Sequence, residues 1–113
     1  MTGNKLTNLG VLLRFTLVHS LQVAENEIQY LTENDFAFSN AIIKLELQKN
    51  EIRRIDTDTF KKLKRLQSLD LSSNLITSLN GSVKYLNQLR RLNLENNSIQ
   101  VTRFFLISIL VLK

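Results

Sequence analysis

The sequence predicts an α/β repeat fold: short parallel strands stacked into one sheet, backed by short helical or irregular segments. Three observations predict it. One apolar pattern recurs four times in register, at Val18, Leu21, Val23 and Ile28, then at Ile42, Leu45, Leu47 and Ile52. It returns at Leu66, Leu69, Leu71 and Ile76, and again at Leu89, Leu92, Leu94 and Ile99. Each copy holds an asparagine at one place, and Asn26, Asn50, Asn74 and Asn97 stand 24, 24 and 23 residues apart. Within each copy apolar and polar residues alternate, as in Leu45-Glu46-Leu47, the period that a strand with one buried face requires. A unit this small cannot bury its apolar face alone, so successive copies stack and share one core.

The elements follow in order. The strands centre on Leu21, Leu45, Leu69 and Leu92. Five residues after the first three asparagines come Leu31, Ile55 and Leu79, and nine or ten after them come Phe36, Phe60 and Val83. Phe36 and Phe60 are expected to fill the wide back of each coil. Before the first full copy, Asn4, Leu6 and Leu9 repeat the same signature, and Asn4 lies 22 residues ahead of Asn26. Arg14 interrupts the apolar stretch that Gly10 opens, which disfavours a cleaved leader. The start is therefore expected to be the tail of an earlier coil.

After Ile99 the pattern loses register, because Thr102 stands where an apolar residue is due. Residues 104–112 form an apolar tail, too short for the roughly 20 residues that span a bilayer. Residues 1–113 are read as a single domain of about four to five coils, with 100–113 a tail of uncertain register. Neither end shows the polar cap that stacked repeats need for solubility, so the chain is expected to be a fragment.

The consensus L-x-x-L-x-L-x-x-N-x-L, with a phenylalanine behind it, resembles the 24-residue leucine-rich repeat of animal extracellular and cell-surface proteins. Insect Toll-type receptors and mosquito leucine-rich immune proteins are similar. The resemblance implies a right-handed solenoid with a concave parallel β-sheet and short helical or irregular convex segments. It also places Asn26, Asn50, Asn74 and Asn97 in a ladder, where an amide that both donates and accepts can satisfy backbone groups of neighbouring coils. The function it implies is binding of a protein ligand on the concave face, in extracellular recognition or innate immunity. Alternative readings are a cytosolic regulatory or scaffolding repeat protein, to which the 22-residue first interval is similar, and a truncated piece without independent function.

The composition removes several kinds of chemistry. With no cysteine there is no disulfide framework, thiolate metal site or cysteine nucleophile. His19 is the sole histidine and the repeat sets no serine or carboxylate beside it. Gly3, Gly10 and Gly81 form no phosphate-binding loop. The two sequons, at Asn80–Ser82 and Asn96–Ser98, are as many as the composition supplies by chance. No enzymatic activity, cofactor or metal is expected.

The outward strand positions form columns: Ser20, Lys44, Ser68 and Arg91, then Gln22, Glu46, Asp70 and Asn93, then Ala24, Gln48, Ser72 and Glu95. His19, Glu25, Lys49 and Arg90 flank them. Charges on this face balance, with Lys44, Lys49, Arg90 and Arg91 against Glu25, Glu46, Asp70 and Glu95. A near-neutral face is no electrostatic track for phosphates, so no nucleic acid is expected there. Such a face suits a protein ligand, with Lys44, Glu46, Asp70, Arg91, Asn93 and Glu95 as its centre. Glu46 and Asp70 on adjacent coils are poor metal ligands by themselves, and Lys44 compensates them. The net charge of +5 arises elsewhere, mostly from Arg53, Arg54, Lys61, Lys62, Lys64 and Arg65. These are assigned to the lateral and convex side, where the only interleaved aromatic is the buried Phe60. That side is read as a solvated basic surface, and membrane contact is not expected of this segment.

Overall fold

The computed structural model describes residues 7, 18–36 and 40–99. The expected earlier coil at the start and the apolar tail at 100–113 lie outside the described residues. Four strands, β1 (Ser20–Gln22), β3 (Lys44–Glu46), β5 (Ser68–Asp70) and β6 (Arg91–Asn93), pair in parallel in the order β1-β3-β5-β6. The register is uniform: Leu21, Leu45, Leu69 and Leu92 stand side by side. The equivalent leucine of every repeat thus points to the same side of the sheet, and Leu45 and Leu69 are fully buried.

Behind the sheet runs one continuous core. Ile28, Leu31, Phe36, Ile52, Ile55, Phe60 and Ile76 belong to it, as do Leu63, Leu66 and Leu86. The Phe36 and Phe60 rings meet with centroids 5.9 Å apart and planes tilted by 44°, an arrangement that suits the quadrupoles of two aromatic rings. Val83, the third member of that column, is only half-buried. Among the described residues, the back segments are two 3-10 turns, η1 (Glu33–Phe36) and η2 (Ser82–Tyr85), and an irregular chain of turns between residues 56 and 66. A second parallel pair, β2 (Tyr30–Leu31) with β4 (Arg54–Ile55), joins two coils beyond the asparagines. This small sheet was not expected from the sequence. Among the described residues, no helix is long and apolar enough to cross a membrane.

Between strand and asparagine each coil makes one sharp bend. Glu25, Lys49, Ser73 and Asn96 adopt φ of 59°, 57°, 55° and 56°, the left-handed region that costs a side chain roughly 1–2 kcal/mol. Each precedes an asparagine of the ladder. The bend is held across coils, since the amides of Glu25, Lys49 and Ser73 donate to the carbonyls of Gln48, Ser72 and Glu95 at 3.1, 3.0 and 2.8 Å.

The interval of 23 residues has a local cause. From Ile55 to the buried Thr59 the chain takes four steps, whereas from Leu79 to the buried Ser82 it takes three. Asn80 and Gly81 make up the difference with φ of 54° and 70°, closed by a 2.9 Å hydrogen bond from the Ser82 amide to the Leu79 carbonyl. Two positive φ values across an Asn-Gly pair define a type I′ turn, which asparagine and glycine tolerate best.

Candidate functional site

The outward side of the four-stranded sheet is built by its register. Ser20, Lys44, Ser68 and Arg91 form one row and Gln22, Glu46, Asp70 and Asn93 the next. Neighbours in a row stand about 4.8 Å apart, close enough for their charges to act together. Lys44, Arg91 and Glu95 are exposed, while Glu46, Asp70 and Asn93 are half-buried by the side chains beside them. The third column departs from expectation at Ala24, which is 6% exposed and belongs to the interior. Every coil bends at this place, and the longer Glu95 at the equivalent position is exposed; the Ala24 side chain is a single methyl, too short to extend out past its neighbours. Gln48 and Ser72 are half-buried, and the Gln48 Oε1 atom has no hydrogen-bond partner among the described residues.

The charges on this side are partly engaged. Lys44 Nζ lies 3.6 Å from Glu46 Oε1. Asp70 Oδ1 accepts from the Ser72 amide at 2.9 Å and from its hydroxyl at 2.7 Å. Asn93 Oδ1 accepts from the Glu95 amide at 3.1 Å. These local bonds hold the acceptors of Asp70 and Asn93 in fixed directions, so the face presents a preset pattern. Among the described residues no three His, Cys, Asp or Glu side chains gather as metal ligands.

Just below the outward face, the asparagines knit the coils together. Asn50 Nδ2 donates to the Leu47 carbonyl of its own coil at 2.9 Å and to the Val23 carbonyl of the coil before at 3.0 Å. Its Oδ1 accepts from the Ile28 amide at 3.2 Å. Asn74 repeats this with Leu71, Leu47 and Ile52 at 3.0, 3.1 and 3.0 Å. Asn97 does so with Leu94, Leu71 and Ile76 at 3.1, 2.8 and 3.1 Å. Asn26 donates to the carbonyls of Val23 and Ala24, both at 3.0 Å. Asn50, Asn74 and Asn97 thereby each tie two successive strands in register and fix the spacing of the outward rows.

Three exposed large apolar residues among those described, Tyr30, Ile43 and Leu75, went unnoticed in the sequence. Ile43 is 37% exposed at the entrance to β3, and its amide bonds the His19 carbonyl while its carbonyl receives the Gln67 amide. It thus shares a column with His19 and Gln67 at the edge of the face. The doublet Ile42-Ile43 carried the signal, since only one of two adjacent strand residues can face the core. Tyr30, 54% exposed, stands in register with Arg54 on the two-stranded sheet. The basic side therefore carries an exposed aromatic, contrary to the reading that Phe60 alone is interleaved there. Arg54 is also paired, its Nε lying 3.3 Å from Asp56 Oδ1. Arg53, Lys61, Lys62, Lys64 and Arg65 are exposed.

Comparison with known proteins bears on the same residues. The family model described as leucine rich repeat matches residues 42–99, about half of the chain. Asporin of Bos taurus is 29% identical over 88% of this chain and 27% of its own length. Tsukushi-A of Xenopus laevis is 36% identical over 71% of this chain and 23% of its own. Toll-like receptor 13 of Mus musculus is 39% identical over 55% of this chain and 6% of its own. The chain thus spans about a quarter or less of the length of these relatives. The matched segment holds β3 to β6 and three asparagines that bond across coils, and on that ground the chain belongs to the leucine-rich repeat family.

Proposed function

We propose that the chain is a non-enzymatic interaction module that binds a protein ligand on the concave face of a right-handed solenoid. In this reading residues 1–113 act as one domain, and Lys44, Glu46, Asp70, Arg91, Asn93 and Glu95 contact the ligand. The observation that carries it is the common register of the four strands, which sets these side chains in rows with mixed charge. A balanced array of this kind selects a partner with a complementary charge pattern and speeds encounter with it, more than it adds raw affinity. Membership of a family of protein-interaction modules supports the binding role. The likeness to a receptor of the Toll-like class supports an extracellular or cell-surface setting, with innate recognition as its field.

The test is a double charge reversal, Asp70→Arg with Arg91→Glu, in the chain displayed against a panel of extracellular proteins. Binding to the ligand that the parent chain selects should weaken by at least about tenfold, while the unfolding midpoint stays close to the parent's. Unchanged affinity in a variant that still folds removes the concave face from the reading. Recovery of the natural product in the cytosol rather than outside the cell removes the extracellular setting.

A further inference from the structure

The turn that shortens the last interval also has chemistry of its own. We propose that Asn80 deamidates spontaneously in the folded protein, through the backbone nitrogen of Gly81, to give aspartate and isoaspartate. Both residues are exposed, and a side chain added at Gly81 would meet nothing within 4 Å. The Gly81 amide donates to no acceptor among the described residues, and the Asn80 side-chain amide makes no hydrogen bond there either. Nucleophile and electrophile are therefore adjacent, unshielded and unengaged.

The step balances with water alone. The Gly81 nitrogen loses its proton to base and attacks Cγ of Asn80. As the new N–Cγ bond closes a succinimide, the Cγ–Nδ2 bond breaks and Nδ2 takes up a proton and leaves as ammonia. Water then opens the ring. Attack at Cγ restores the ordinary backbone with aspartate at position 80, while attack at the main-chain carbonyl leaves the chain running through the side chain as isoaspartate.

The left-handed turn must open before the nitrogen can reach Cγ, and it is held by two bonds, from the Ser82 amide to the Leu79 carbonyl at 2.9 Å and from the Lys84 amide to the Gly81 carbonyl at 3.2 Å. Leu79 and Ser82 on either side are buried and hold the flanks in place, so the opening is local. The ladder asparagines are in the opposite situation. Asn74 is 6% exposed, its amide is bonded to two coils, and Leu75 rather than glycine follows it. Each conversion at Asn80 adds one negative charge to the back of the protein, and the isoaspartate form also lengthens the main chain within the turn.

The experiment incubates the full chain at mildly alkaline pH, with and without denaturant, and reads the tryptic peptide of residues 66–84, which contains both Asn74 and Asn80. The expected result is conversion of Asn80 in the native sample within about a hundredfold of the denatured rate, the cost of opening two hydrogen bonds. Isoaspartate should be the larger product, the rate should rise with pH, and Gly81→Ala should slow it. Exchange protection of the Ile52 amide, which bonds Asn74, must persist in the same sample. An Asn80 that stays intact while the denatured chain converts fully overturns the proposal. So does conversion only in samples that have lost the Ile52 protection.

Discussion

Tyr85 donates a 2.6 Å hydrogen bond from its phenol to Asp58 Oδ1, joining the backs of two successive coils. Lys84 lies over the same ring, its Nζ 5.1 Å from the centroid. The bond to Asp58 pushes the Tyr85 phenol above the ordinary tyrosine value, and partial desolvation and the charges of Asp58 and Glu33 push the same way. An acid raised in the folded state holds its proton more tightly there. Its contribution is complete below the ordinary tyrosine range and is lost as the pH rises through that range toward the folded value. Ultraviolet titration should show Tyr85 ionising late, and Asp58→Asn should bring it back toward the ordinary range. Tyr85→Phe should abolish that late transition and flatten the alkaline loss of stability.

Asp35 gives the corresponding expectation in acid. Burial pushes its carboxyl above the ordinary aspartate range; hydrogen bonds from the Thr32 amide and hydroxyl oppose this, and the charge of Asp56 adds to it. The amide bond, at 2.8 Å, caps the start of η1. Because the folded chain binds this proton more tightly, the Asp35 contribution is full below the ordinary range and declines as pH rises to the folded value. Asp35→Asn keeps an acceptor for the Thr32 amide and removes the ionisation. Denaturation midpoints measured across the acid range should differ in slope between the two proteins. Parallel curves would count against the assignment.

The ladder should be graded by burial. Asn50→Ala removes an amide that bonds four backbone groups, two of them in the preceding coil, and should cost about 1–3 kcal/mol. Asn97→Ala removes the equivalent bonds at a half-buried position, where water can replace them, and should cost less. Urea unfolding of the two variants checks the order. Equal losses would show that the bonds, not their burial, set the energy.

Two hydroxyls in one column predict opposite signs. Thr59 Oγ1 donates to the Leu31 carbonyl of the coil before at 3.0 Å, whereas the buried Ser82 Oγ has no partner among the described residues. Thr59→Ala should cost about 1 kcal/mol or more, for a lost bond and an unpaired carbonyl. Ser82→Ala removes an unsatisfied polar atom and should be neutral or stabilising by up to about 1 kcal/mol. Thermal melts of both variants suffice. A clear loss of stability in Ser82→Ala would reveal a partner for its hydroxyl.

What the sequence disclosed was the front of the protein. The alternation in Leu45-Glu46-Leu47 and the constant interval between asparagines carry the four-stranded sheet, because every coil makes the same contacts there. The same alternation sets which residues face outward, including Lys44, Asp70 and Arg91. It does not say how far neighbours in register cover one another, and Glu46, Asp70 and Asn93 are half-buried for that reason. Ala24 fails because its side chain is one methyl, whereas the longer Glu95 at the equivalent position reaches solvent. The β2–β4 pair escaped notice because two residues are too few to show a period, and Tyr30 sits directly beside the core residue Leu31. Leu63 and Leu86 entered the core from irregular turns, where spacing carries no fixed meaning.

The shortened interval before Asn97 shows how the protein divides tolerance between its two sides. The missing residue is absorbed entirely at Asn80 and Gly81, and Leu69, Leu92 and their neighbours remain aligned. Length can therefore drift on the back of a coil without moving a single position on the front. A lineage carrying this repeat can gain or lose residues behind the sheet while the spacing read by a partner stays constant, and can alter what is recognised by exchanging side chains alone.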